Sequence, residues 1–228
     1  TLPEGRNCSL FHWIDGRFLS KNIKPSHLDR IGRLIGEIHL RQPTTPDSRR
    51  QYWSAEGLVG KNPKFGPVHQ LRGVTKRQQS IINTARSRVY RILHRVERLF
   101  PKKLRMIHAD LHFGNILSTP SGLAFIDFDD CGYGFAAYDL VVPFVVLEQM
   151  FKNNKHVDLN PYKEALINGY MSMGAVWDKV DTDLFSHLST ARHLVILGWL
   201  QARSDNPKLR QYLPIAVKQA IQKINKSY

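Results

Sequence analysis

Acidic residues are nearly missing from one long stretch of this 228-residue chain: from Arg49 to Arg105, Glu56 and Glu97 stand alone against fifteen Lys and Arg. The whole chain carries a formal net charge of +14, so the remainder is close to neutral. A basic block of this kind attracts phosphate, nucleic acid or an acidic protein surface, or else it coats a solvated helix face. No RNA- or DNA-binding motif accompanies it, which argues against nucleic acid as a partner. Cysteine is also scarce. Cys8 and Cys131 make neither a disulfide framework nor a metal cluster, and both fit buried thiols. No apolar run approaches the roughly 20 residues needed to cross a bilayer. The opening TLPEGRNCSLF lacks the basic-then-apolar order of a secretory signal. A soluble, cytoplasmic protein without a membrane partner is expected. What is abundant is core material: 42% of the residues are apolar, enough for one large domain or two small ones.

Most of that material is patterned for helices. Pro25 to Arg41 opens with Pro and Ser and spaces Leu28, Ile31, Leu34, Ile35 and Ile38 along one face. Lys76 to Phe100 does the same with Ile81, Ile82, Ala85, Val89, Ile92, Leu93, Val96 and Leu99, with much of the basic charge on its other face. Between them, residues 42–75 are rich in Pro, Gly and charge and read as a long loop with short helical turns. NCSLFHWI reads as a strand closed by the turn DGR. After Phe100 the pattern turns to short β-rich pieces, LRMIH, NILST and LAFIDF, with the turn chemistry TPSG between the last two. Four further helices follow, and neither a repeat nor a low-complexity tract is present.

The β-rich region also concentrates polar residues. IHADLHFGNIL and LAFIDFDDCGYG together hold two histidines, an asparagine and four aspartates among Ile, Leu and Phe. Asp and Asn are poor strand formers and costly to bury unpaired, so a purely structural explanation is thin. Asp110 lies just past one short strand, Asn115 opens the next, and Asp127 ends the return strand of a hairpin. Three oxygen-bearing side chains then share one cleft. Such a set suits Mg²⁺, which takes a few carboxylate or amide oxygens and leaves positions for water and phosphate. Phosphoryl transfer asks for little more: a carboxylate to orient the attacking hydroxyl and ligands for the metal that holds the nucleotide phosphates.

These residues resemble a known family. HADLHFGN is similar to the H-x-D-x-x-x-x-N catalytic loop of the aminoglycoside phosphotransferase and choline kinase-like superfamily, relatives of the protein kinases. FIDFDD resembles its metal-binding segment and YDL, Tyr138 to Leu140, its following structural aspartate motif. SLFHWIDGRFL is similar to the interlobe hinge, IGRLIGEIH to the helix after it, and LVILGWLQAR to the late helices. The paired aspartates of IDFDDCGYG are similar to those of the bacterial stress-response Ser/Thr kinase branch.

The resemblance implies an α+β, protein-kinase-like fold whose mainly helical C-terminal lobe carries a small β-hairpin. Residues 1–20 would end an N-terminal lobe and form the hinge. Residues 21–228 would be the helical lobe, with a catalytic loop at 107–117 and a metal-binding segment at 123–130. Asp110 would orient the hydroxyl as catalytic base, His108 would brace the loop beside it, and Asp139 would hold the loop by hydrogen bonds. Asn115 and Asp127 would bind Mg²⁺. Phe11, Trp13 and Ile14 would meet the adenine edge of ATP, and Leu117 and Ile126 would floor it, although both also fit as plain core residues. Asp129 and Asp130 fit either a second metal or substrate role or the capping of a turn.

The implied function is an ATP- and Mg²⁺-dependent phosphotransferase acting on a hydroxyl of a small molecule or a protein Ser/Thr. The net basic stretch weighs against a polycationic acceptor and favours an anionic or protein one. No glycine-rich loop and no V-A-I-K-like strand precede Asp110, and the first residue is Thr. The chain is therefore expected to be a C-terminal lobe lacking its N-terminal partner. A non-catalytic remnant lobe, docking an acidic partner or nucleic acid through its basic stretch, is the alternative.

Overall fold

The computed structural model describes residues 10, 12–19, 22–41, 50–154 and 156–227. Strand β1 is short, Arg17–Phe18. It follows the turn that was expected to close a strand in NCSLFHWI, whose described residues are not extended into a sheet. Leu10 and Trp13 instead stand exposed, so the apolar run has no covering element among the described residues.

Helix α1, Pro25–Arg41, buries Leu28, Ile31 and Ile35, the expected apolar face, and continues that face with His39 four residues on. The segment expected to be a loop with short helical turns has one such turn, α2, Ala55–Val59, capped by Ser54, and in addition a strand, β2, Gln51–Trp53. Helix α3, Lys76–Leu99, starts at a capping box in which Thr75 accepts from the Gln78 amide and Gln78 reaches back to the Thr75 amide.

The β-rich region forms two small sheets where one hairpin was expected. Strand β3, Leu104–Ile107, pairs antiparallel with β6, Gly132–Phe135, and β2 joins β6 in parallel. The hairpin of β4, Ile116–Thr119, and β5, Gly122–Phe125, makes the second sheet, with β1 on the outer edge of β4. Glycines in β6 permit the tight pairing: a Cβ on Gly132 would collide with the Gln51 carbonyl.

Helix α4, Ala136–Met150, is buried on nearly every side, which is the pattern of a central core helix. Around it lie α5, Asn160–Ser172, and α6, Lys179–Ala202, then the short α7, Pro207–Arg210, and α8, Leu213–Ser227. Helices α1 and α5 pack closely. A Cβ on Gly32 would strike the Leu166 carbonyl, and one on Gly169 would strike that of Asp29. This contact brings Tyr170 of α5 against His39 of α1.

No helix among the described residues is long and apolar enough to cross a membrane.

Candidate active site

The loop after β3 is built from its backbone outward. Ala109 sits at φ 71° and Asp127 at φ 63°, two of three non-glycine residues in the left-handed region among those described. Such backbone costs on the order of 1 kcal/mol or more each and persists only where surrounding bonds impose it.

Here the bonds are visible. Asp139, in the first turn of α4, accepts from the His108 amide at 2.8 Å and the Ala109 amide at 2.7 Å. The Asp110 carbonyl accepts from the His112 amide at 2.9 Å and from Asn115 Nδ2 at 2.9 Å. His108 is buried with both ring nitrogens engaged. Its Nδ1 accepts from the Asp110 amide at 3.3 Å and its Nε2 donates to the Ile126 carbonyl at 3.0 Å, which joins the loop to the far strand of the hairpin. Beyond it, Gly114 lets the chain turn under His112: its amide donates to His112 Nδ1 at 3.0 Å, and a Cβ there would collide with the ring.

The expected metal ligands are adjacent through the hairpin. The Ile126 amide donates to the Asn115 carbonyl at 3.1 Å, so Asp127 is one residue past the partner of Asn115. Asn115 is nearly buried, and with Nδ2 engaged its Oδ1 is left over. The exposed Asp127 carboxylate has no hydrogen bond or ion pair with a described residue. One amide oxygen and one carboxylate, both uncommitted, fit a hard cation that keeps water and phosphate oxygens in its remaining positions. Among the described residues no set of three His, Cys, Asp or Glu gathers into a closed protein cage.

The carboxylate of Asp110 is half-buried and divided between two neighbours. Oδ1 accepts from Arg192 Nη2 at 2.6 Å, while Oδ2 lies 3.6 Å from His112 Nε2. Arg192 comes from the middle of α6 and is almost wholly buried. Its guanidinium lies by the Tyr138 hydroxyl, which burial pushes up to about 12 against the pull of the arginine charge. Of the paired aspartates, Asp130 forms an ion pair with Lys64 at 2.6 Å, and its carbonyl accepts from Trp53 Nε1 at 2.7 Å. Asp129 is exposed, and its side chain caps no turn among the described residues.

The remaining expected residues lie at the hairpin or beside it. Leu117 is buried and paired with Phe18 and Ala124; Ile126 is half-buried. Ile14 is exposed, and Trp13 is 88% exposed with its indole donating to Asp15. Phe11 lies outside the described residues. Sequence reasoning missed Arg192, His39 and the Lys64–Asp130 pair. The first two had a signal: each is a basic residue at a position where the helical period calls for an apolar one.

Comparisons with known proteins agree with this architecture. Amicoumacin kinase of Bacillus subtilis (strain 168) is 25% identical over 191 residues, covering 77% of this chain and 51% of that protein. The chain thus spans about half the length of the curated relative it matches. The structure of a microcompartment-associated aminopropanol kinase superposes with a TM-score of 0.69 at 24% identity, over 90% of this chain and 61% of the other. The complex of amicoumacin kinase hAmiN with AMP-PNP, Ca²⁺ and Ami superposes with a TM-score of 0.62 at 19% identity, over 87% and 59%. At these identities the two structures speak for the fold. The model of the phosphotransferase enzyme family (APH) matches residues 3–154, and the chain belongs to that family.

Proposed function

We propose that the chain carries the catalytic loop and metal-binding segment of an ATP- and Mg²⁺-dependent phosphotransferase that moves the γ-phosphate to a hydroxyl of a small molecule. One observation supports this most. Asp110 has one oxygen held by Arg192 and the other facing His112, on the loop that also carries Asn115, and no described residue uses the side-chain oxygens of Asn115 and Asp127. A remnant docking lobe has no physical need for that arrangement or for the strained backbone that supports it.

In this reading Asp110 accepts the hydrogen bond of the acceptor hydroxyl and aims its oxygen at the phosphorus. Asn115 Oδ1 and the Asp127 carboxylate would hold Mg²⁺, which would supply positive charge against that of the nucleotide phosphates. Asp139 and His108 keep the loop from relaxing. The segment 12–19 would serve as the hinge of the kinase-like fold, with Trp13 and Ile14 at the adenine edge and Leu117 and Ile126 under the ring. The pairing of β1 with β4 favours this, because it ties the hinge segment to the strand bearing Leu117.

The kinases named among the relatives act on small molecules, and that supports a small acceptor here. The argument from basic charge toward an anionic or protein acceptor weakens on the structure. Arg86 caps α2 by donating to the Val59 and Gly60 carbonyls, Lys103 pairs with Asp178 and Asp181, and Lys76, Arg77, Arg91, Arg95 and Arg98 are exposed on α3. Among the described residues of the basic stretch, Lys64 is the one that forms an ion pair with the paired aspartates, at Asp130.

Titration calorimetry with ATP, with and without Mg²⁺, tests the reading. Mg²⁺-dependent binding that disappears in Asp127→Ala is the expected result. Binding of equal strength in that variant would remove Asp127 from the metal site.

A further inference from the structure

Arg192 enters the site from 82 residues away in sequence and makes one bond there, to Asp110. Its neighbours along α6 are buried Leu188, Ala191, Leu194 and Val195, an environment that penalises a charge unless the charge is paired. The pairing is minimal: Nη2 reaches Asp110 Oδ1 at 2.6 Å, while the buried Nε has no hydrogen-bond partner. A buried ion pair of this kind is poor evidence for stability, since apolar residues of similar volume usually serve the fold as well. Its geometric effect is definite. Oδ1 is held from the protein side, and Oδ2 is left facing His112. With His112 Nδ1 accepting from the Gly114 amide, the proton of the neutral ring is on Nε2, so that edge of the site presents a donor 3.6 Å from Oδ2.

We infer that Arg192 is a positioning residue: it fixes the Asp110 carboxylate so that Oδ2 alone receives the acceptor hydroxyl, from the His112 side. The inference rests on the phosphotransferase reading. In the step it serves, the acceptor oxygen forms a bond to the γ-phosphorus as the bond from that phosphorus to the β,γ-bridging oxygen breaks. The hydroxyl proton goes to Oδ2, and ADP leaves with the bonding electron pair.

The test combines structures and turnover in the natural full-length protein, with water as acceptor and phosphate release from Mg-ATP as the readout. In a crystal structure of Arg192→Met the Asp110 carboxylate is expected to leave its wild-type rotamer; an unmoved carboxylate overturns the inference. In turnover, Asp110→Ala is expected to lose about 100-fold or more in kcat. Arg192→Met is expected to lose about 10-fold or more with KM for Mg-ATP within twofold, and Arg192→Lys to fall between it and wild type. The double variant Asp110→Ala/Arg192→Met is expected to be no slower than Asp110→Ala alone. Losses that multiply, or a raised KM at unchanged kcat, would assign Arg192 a separate structural or nucleotide role and sink the proposal. Should Arg192→Met fail to fold, Arg192→Lys takes its place in both arms, and wild-type kcat with an unmoved carboxylate is the overturning result. Wild-type turnover in Asp110→Ala would refute the phosphotransferase reading instead, and the crystallographic arm would still decide what Arg192 does to Asp110.

Discussion

His39 Nε2 lies 3.0 Å from Asp139 Oδ2, with both side chains out of reach of solvent. The same carboxylate accepts from the amides of His108 and Ala109, and His39 Nδ1 accepts from the Tyr170 hydroxyl at 3.2 Å. A carboxylate suits this place because it only accepts, and three donors converge on it. Asp139→Asn puts an NH₂ group where one of those donors points. The expected cost is about 2–4 kcal/mol of stability, together with at least tenfold lower turnover as the loop relaxes. Urea unfolding measures the first and phosphate release the second. Full stability in the variant would mean that the carboxylate is replaceable and that another group holds the left-handed turn at Ala109.

The Asp110–Arg192 pair is asymmetric, and burial decides which half is dangerous to remove. The Asp110 side chain is 25% exposed and that of Arg192 10%. Losing Arg192 leaves a carboxylate that water can reach. Losing Asp110 leaves a buried guanidinium whose remaining polar neighbour is the Tyr138 hydroxyl. Asp110→Ala is expected to destabilise by about 2 kcal/mol, below the usual figure for a fully buried pair because solvent screens this one in part. Arg192→Met added to Asp110→Ala is expected to return most of that loss. If the double variant unfolds at lower urea than Asp110→Ala, the stranded charge is not the cause.

The candidate residues come from two short stretches of sequence, and their local placement was legible for that reason: Asp110 and Asn115 share one loop, and Asp127 follows Ile126, whose amide donates to the Asn115 carbonyl. Long amphipathic helices such as α1 and α3 were legible for the same reason, since period and caps are local. What was lost is non-local. Strand β6 contains GYGF, whose glycines lie against β2, a partner some eighty residues earlier that no local pattern announces. Arg192 sits in an apolar helix whose sequence does not say which turn faces the loop. The exposed Leu10 and Trp13 carry a strand's composition without a strand's pairing, a reminder that β propensity measures packing context more than backbone preference.

The α1–α5 contact offers a remote control on the site. Gly32, Gly36 and Gly169 leave no room for a methyl group against the opposing backbone. Gly32→Ala must separate the helices and draw Tyr170 away from His39. A loss of about 1–3 kcal/mol is expected from the overpacking. Because His39 and Asp139 support the loop, kcat should fall with it. Unchanged kcat at lowered stability would show that the Tyr170–His39 bond does not reach the loop.

Stability should also fall with mild acid, and the sign follows from the histidines of α6. His193 is buried, and desolvation lowers its pKa below 6.5; His187 is lowered for the same reason. Between the folded value and 6.5 the unfolded chain binds more protons than the folded one. The stabilisation is therefore complete above the unfolded pKa, declines as pH falls below about 6.5, and levels off once pH passes below the folded value. His193 Nδ1 donates to the Ser189 carbonyl at 2.8 Å, a bond that an asparagine amide can imitate. His193→Asn is expected to be less stable at pH 7.5, by about 1 kcal/mol from lost packing, yet to show a shallower decline between pH 7 and pH 5. Denaturation midpoints at pH 7.5, 6 and 5 decide it. Parallel declines in wild type and variant would move the acid sensitivity to other groups, His187 first.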